Sequence, residues 1–158
     1  MIKLKKILAP TDFSELSQVG VRYAMELAEA QGAEVTLYHV IRYEETGIYE
    51  PGPEGWLASP QEFRPIQELV DERKNELANF VSANFSKLPP KVTVQQEVEV
   101  GVPHRKIVQK AKGNAVDMIV MSTHGTTGLM HLLIGSVTEQ VVRRCTCPVL
   151  VVRPEGKE

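Results

Sequence analysis

Val116-Asp-Met-Ile-Val-Met-Ser-Thr-His-Gly125, Thr126-Thr-Gly-Leu-Met-His-Leu-Leu-Ile-Gly135 and Ser136-Val-Thr-Glu-Gln-Val-Val-Arg-Arg144 form one continuous stretch whose reading decides the fold. The apolar run 116–121 is short and bounded by turn residues, which predicts a buried strand. Residues 136–144 read as a helix. Between them Gly125, Gly128 and Gly135 stand among Ser122, Thr123, Thr126, Thr127, Ser136 and Thr138. Glycine lets a backbone turn tightly and approach a ligand closely. Backbone N–H groups in such a loop, and at the helix start beyond it, can converge on an anion. Strand, glycine and hydroxyl loop, then helix N-terminus is the arrangement a phosphate needs, so a nucleotide is expected here.

Upstream, Lys5–Ala9 reads as a first strand, and Pro10-Thr11-Asp12 as the loop after it. Ser14 suits an N-cap, with Glu15 in the first turn where a negative charge favours the helix dipole. Leu16, Val19, Tyr23, Leu27 and Ala30 recur at helical spacing, predicting a helix over 14–31 that stops at Gly32. Glu34–Ile41 is a second strand, rich in β-branched and aromatic residues. Residues 42–63 hold Gly47, Pro51, Gly52, Pro53, Gly55 and Pro60, and are expected to form a long irregular loop. Trp56 and Tyr49 lie in it. Trp56 reads as an anchor for the loop, with contact to a ligand base as the alternative.

A second helix follows over 65–87, with Ile66, Leu69, Val70, Leu77, Phe80 and Val81 as its apolar stripe, and Pro89-Pro90 beyond its end. Residues 92–100 alternate, with one face mostly polar, as in an edge strand. Gly101-Val102-Pro103 turns into a short helix over 104–112, with Ile107, Val108 and Ala111 facing inward. A last strand spans 149–153. Strands alternating with helices predict one α/β domain over 1–158: an open, three-layer, parallel five-stranded sheet with helices on both faces. The edge-like third strand and the strongly apolar first and fourth suggest the order 3-2-1-4-5. Ligands bind beyond the strand C-termini where such a sheet reverses direction. That places Pro10-Thr11-Asp12 opposite Ser122–Ser136.

The chemistry of these loops favours binding over turnover. No Walker lysine occurs, and Pro-Thr-Asp replaces a dinucleotide fingerprint after the first strand. Phosphates would rest on backbone N–H groups near Gly125 and Gly135, on the hydroxyls of Ser136 and Thr138, and on the helix dipole. Nothing obvious stabilises charge on a transferred phosphoryl group, so at most slow hydrolysis is expected. Asp12 can accept from an adenine amino group or a ribose hydroxyl, or reach magnesium through water; an Asx-type turn is the structural alternative. His124 can donate to phosphate or ribose, or bond to backbone. His39 and His131 read as structural or exposed. Cys145 and Cys147 read as small residues at a helix–strand junction, with a redox role as the alternative. A Cys-x-Cys pair does not easily make an ordinary disulfide, and two thiols do not make a zinc site.

A net charge of −2 without a basic patch gives no reason to expect nucleic acid. No run reaches the length of a membrane span, and the first ten residues lack a signal-peptide pattern, so the cytoplasm is the expected location.

Five fragments together carry a family resemblance: residues 5–14 (Lys-Lys-Ile-Leu-Ala-Pro-Thr-Asp-Phe-Ser), 37–41 (Leu-Tyr-His-Val-Ile), 116–125, 133–143 and 147–153. Across nearly its whole length the chain resembles the universal stress proteins. The resemblance implies an adenine nucleotide alpha hydrolase-like sheet and a homodimer joined through the last strand, Val149–Val152. It also implies ATP as ligand, with magnesium as its companion. The family's ATP-binding branch carries Gly, two residues, Gly, nine residues, then Gly-Ser or Gly-Thr. Gly125 and Gly135-Ser136 match, while Ser122 stands at the first glycine and brings a Cβ. By position, Pro10, Thr11, Asp12 and Val40 correspond to the adenine and ribose side. Met121, Ser122, His124, Gly125, Gly135, Ser136, Val137 and Thr138 correspond to the ribose and phosphates. The implied function is a dimeric, nucleotide-dependent switch or sensor in the stress response. The alternative is a dimeric family member that acts as a nucleotide-independent interaction protein, and a further alternative is a slow ATPase, for which Asp12 is the candidate base.

Overall fold

The computed structural model describes residues 3–47, 64–87, 91–123 and 134–154. Five parallel strands form one sheet: β1 (Lys6–Pro10), β2 (Glu34–Ile41), β3 (Val94–Val100), β4 (Met118–Ser122) and β5 (Val149–Val152). Their order is β3-β2-β1-β4-β5, as the strand hydrophobicity predicts. α1 (Glu15–Gln31) and α2 (Ile66–Phe85) cover one face, and α3 (Pro103–Gly113) and α4 (Ser136–Arg144) the other. Alternate strand residues feed two separate cores. Ile7, Ala9, Val35, Leu37 and Val120 pack beneath α1 and α2. Leu8, Tyr38, Val40, Ile119 and Met121 pack beneath α3 and α4.

α1 starts as the sequence predicts. Ser14 caps it, its hydroxyl accepting from the Ser17 N–H at 3.1 Å, a contact of about 1 kcal/mol. Gly32 ends it at φ 66°, where a Cβ would be strained. Its buried face differs from the expected stripe. Tyr23 is half exposed and Ala30 lies outside, while Ser17, Gly20, Val21, Ala24, Met25 and Ala28 are buried. The cause is the closeness of helix and sheet. A Cβ on Gly20 would stand 2.7 Å from the Ser122 backbone nitrogen, so only small residues fit this contact.

The expected loop over 42–63 also needs correction at its start. Tyr43–Thr46 form a single 3-10 turn, whose first backbone N–H, on Arg42, donates to the Glu45 carboxylate at 3.1 Å. Residues 48–63, with Tyr49 and Trp56, lie outside the described residues. Ile66, expected to be on the α2 stripe, is exposed; Leu69, Leu77, Phe80 and Phe85 are the buried residues of that helix.

Candidate functional site

Where β1 ends and the chain turns away, a cavity of ≈ 450 Å³ opens. That volume is within the range of small-molecule sites, ~300–1,000 Å³. Its floor is the switch point between β1 and β4. Pro10, Thr11 and Asp12 line it from β1, and Val40 from β2. Met121 and Ser122 line it from β4, and Gly135, Ser136, Val137 and Thr138 from α4. The residues marked in the sequence therefore meet in one place, although their elements are far apart in the chain. His124 and Gly125 lie outside the described residues.

The β1–α1 loop is held by its own side chains. The Thr11 and Ser17 hydroxyls are 2.8 Å apart, and the Thr11 hydroxyl accepts from the Phe13 N–H at 3.1 Å. Asp12 forms the Asx-type turn: its Oδ1 accepts from the Ser14 N–H at 3.1 Å and from the Ser14 hydroxyl at 2.5 Å. Phe13 sits at φ 66°, an unusual conformation for a bulky residue, which costs about 1–3 kcal/mol and is found mainly at functional sites. Its ring stacks on His39 at 4.2 Å.

His39 Nδ1 lies 2.8 Å from the Thr11 carbonyl oxygen. A carbonyl only accepts, so Nδ1 carries the proton and Nε2 is the bare nitrogen of the neutral ring. Nε2 is buried with no hydrogen-bond partner among the described residues. Burial lowers the His39 pKa, with the Thr11 carbonyl and Glu45 pulling the other way. The histidine is thus structural, as the sequence reading holds.

The ladder between β1 and β2 ends at the pair Pro10 and Tyr38, with the Thr11 N–H donating to the Tyr38 carbonyl at 2.9 Å. Tyr38 therefore turns its backbone groups toward β1. Ile41 turns its carbonyl the other way, accepting from the Gly101 N–H. Parity puts the N–H and C=O of Val40 on the β1 side, one rung beyond the last β1 residue. They face the space that the cavity occupies.

At the opposite end α4 begins. Gly135 has an ordinary extended backbone, φ −69° and ψ 157°, so its contribution is the absence of a side chain at the cavity wall. Its N–H donates to the Thr123 carbonyl at 2.6 Å. The amides of Ser136, Val137 and Thr138 belong to the first helical turn and have no carbonyl four residues back within the helix. The Thr138 side chain departs from expectation. Its hydroxyl is buried and donates to the Ser122 carbonyl at 2.9 Å, so that proton is not offered to a phosphate. The expected hydroxyl contribution at this end reduces to Ser136. Ser122 itself is the last residue of β4, paired with Val152. A strand conformation suits serine, and the first position of the glycine pattern makes no left-handed demand here.

Several lining residues escape sequence reasoning. Pro103 and Ile107 close the cavity from α3, and Phe13 lines it from the β1–α1 loop. Beyond His39 the wall is charged: Arg42, Glu45, Arg73 and Glu76. Arg73 binds Glu45 at 3.0 Å and Glu76 at 2.9 Å. Burial alone would raise the Glu45 pKa, but the Arg42 N–H and the Arg73 guanidinium outweigh it and hold the carboxyl below the usual range. The local signals for this cluster were the spacings of Arg42 with Glu45 and of Arg73 with Glu76; the link between the two pairs spans 28 residues.

The chain matches the universal stress protein family over residues 3–153, and it belongs to that family. It is 36% identical to universal stress protein MJ0577 of Methanocaldococcus jannaschii, an alignment that covers 96% of each chain. The solved structure of MJ0577 superposes with a TM-score of 0.78, covering 99% of this chain and 100% of that one. A universal stress protein solved in complex with cAMP shares the fold at 21% identity and a TM-score of 0.63, covering 98% of this chain and 100% of that one. One from Archaeoglobus fulgidus, in complex with dAMP, does so at 17% identity and a TM-score of 0.58, covering 96% and 98%. No helix among the described residues is long and apolar enough to cross a membrane.

Proposed function

We propose that this chain binds ATP or a related adenine nucleotide in the switch-point cavity, and acts as a cytoplasmic, homodimeric, nucleotide-dependent switch or sensor in the stress response. The observation that carries the reading is the cavity itself, which joins two kinds of recognition surface. By strand parity Val40, which lines the cavity, turns one N–H and one C=O to the side that β1 leaves open beyond Pro10. An adenine edge offers the complementary pair, a ring nitrogen and an amino group. Asp12 stands beside it as a further acceptor for the amino group or a ribose hydroxyl. The first α4 amides, Ser136 to Thr138, and the Ser136 hydroxyl would take the phosphates, helped by the helix dipole. His124 and Gly125 would complete the ribose and phosphate side. Pro10 and Met121 supply apolar walls between the two ends.

The described residues fit a nucleotide better than a transferred phosphoryl group. The described α4 residues that line the cavity, Gly135 to Thr138, include no carboxylate, histidine or cation, so a magnesium ion there would be held by the phosphates and water. The cAMP and dAMP complexes in the family support the ligand class. Dimerisation is supported by β5. It is the edge of the sheet, and Leu150 on it and Val142 on α4 are exposed apolar residues. A second copy would pair along Val149–Val152 and cover them.

Mass spectrometry of small molecules released from the purified protein tests the reading. An adenine nucleotide at near-stoichiometric amount is expected, as is a thermal shift with added Mg-ATP. No released nucleotide and no shift at millimolar ATP would favour the nucleotide-independent interaction protein instead.

A further inference from the structure

Neither cysteine lines the cavity, yet the two form an arrangement of their own. Cys145 caps the C-terminus of α4, its N–H donating to the Val141 carbonyl at 2.9 Å, and its backbone is extended at φ −78° and ψ 143°. Thr146 and Cys147 form a bend before Pro148 and β5. The bend brings the two Sγ atoms within 3.3 Å of each other. Both residues are partly exposed, and the chain has no other cysteine.

We propose that Cys145 and Cys147 form a redox-active dithiol that closes reversibly to an intrachain disulfide by exchange with a small-molecule disulfide. The sulfurs need approach by only about 1.3 Å to reach bonding distance. Burial, followed by the neighbouring Cys145, pushes the Cys147 thiol up to about 12. Burial disfavours the Cys147 thiolate, so Cys145 is assigned the first attack. Cys145 gives its proton to water and attacks one sulfur of a reagent such as oxidised glutathione. The reagent's S–S bond breaks, one thiolate leaves, and a mixed disulfide on Cys145 forms. Cys147 then attacks Cys145 Sγ, releasing its proton to the departing second thiolate. Two electrons pass from the protein thiols to the reagent, which ends as two thiols.

The product is a labile bond rather than a structural staple. A ring closed between residues two apart removes little freedom from the unfolded chain and constrains the folded turn. That turn is the link between α4, whose other end faces the cavity, and the edge strand β5.

Native full-length protein treated with oxidised glutathione, quenched in acid and weighed intact tests this. The expected product has lost two hydrogens, carries no glutathione, resists maleimide at both cysteines and regains both thiols with dithiothreitol. Cys147→Ser should stop at the mixed disulfide and keep one glutathione. Cys145→Ser should react more slowly than Cys147→Ser, because burial still disfavours the remaining Cys147 thiolate. A wild-type protein that keeps a glutathione adduct, joins to a second chain or retains both free thiols would overturn the proposal. Equal rates for the two serine variants would overturn the order of attack.

Discussion

At the β1–α1 end of the cavity, Thr11, Asp12, Ser14 and Ser17 are bonded to one another, and His39 holds the Thr11 carbonyl from below. At the α4 end, the Ser136, Val137 and Thr138 amides face a wall from which Gly135 withholds a side chain. One end is a stiff mould whose polar side chains are largely committed to its own shape. The other is a set of backbone donors that the helix cannot satisfy. A base with flat faces and a fixed edge suits the first, and a flexible chain of phosphates suits the second. The difference would let the proposed site take a polyanion with no lysine or arginine among the described residues lining its α4 end. The donors there are part of the helix and cost no side-chain ordering.

The comparison can be broken most sharply at the α4 end. Gly135→Arg fills the wall in front of the first-turn amides, and ATP affinity by isothermal titration should fall about 100-fold or more, roughly 2.7 kcal/mol. Stability should change little, since the backbone there is one any residue adopts. Gly20→Ala attacks the support beneath both ends. Its Cβ meets the Met121 and Ser122 backbone, so β4 or α1 must shift, at a cost of about 1–3 kcal/mol in urea denaturation. ATP affinity should weaken with it, because Ser122 moves. Thr138→Val removes the donor to the buried Ser122 carbonyl and should cost about 1 kcal/mol of stability, while Thr138→Ser should restore most of it.

The smallest effect separates the stiff end by pH. His39 has its pKa lowered by burial, so the unfolded chain binds the proton more readily than the folded one. Stability contributed by the neutral ring is complete above the unfolded value of about 6.5 and declines as pH falls toward the folded value. Protonation would place an N–H at Nε2, where no described residue accepts it. His104 shifts the same way, through burial and then Arg144 and Arg105, so both histidines contribute to the slope. Denaturant midpoints measured between pH 7 and 5 should flatten in His39→Gln more than in His104→Gln.

The sheet was legible because its strands differ in burial. Ile7, Leu8, Ala9, Ile119 and Val120 are sealed on both faces, while Gln95 and Gln96 of β3 are exposed, and that contrast fixes centre and edge. The α1 register was not legible, since hydrophobicity marks large residues and this contact is made by glycine and alanine. The turn at Tyr43–Thr46 was masked by the glycines and prolines that follow it. At the site, Pro10 and Gly135 were readable from a strand end and a helix start, while Val40 came only with the family resemblance. Side-chain direction was not: the Thr138 hydroxyl turning back to Ser122, and Arg73 reaching Glu45 from α2, leave no mark on local sequence.

The central claim is that α4 amides hold the phosphates while the β1–β2 end holds the base. Amide chemical shifts of the 15N-labelled protein, followed during titration with ATP and separately with adenosine, address it directly. The account predicts that Val40 and Asp12 shift with both ligands, that Ser136, Val137 and Thr138 shift strongly with ATP alone, and that ATP binds more tightly. Unmoved α4 amides at saturating ATP, or equal affinity for ATP and adenosine, would contradict it.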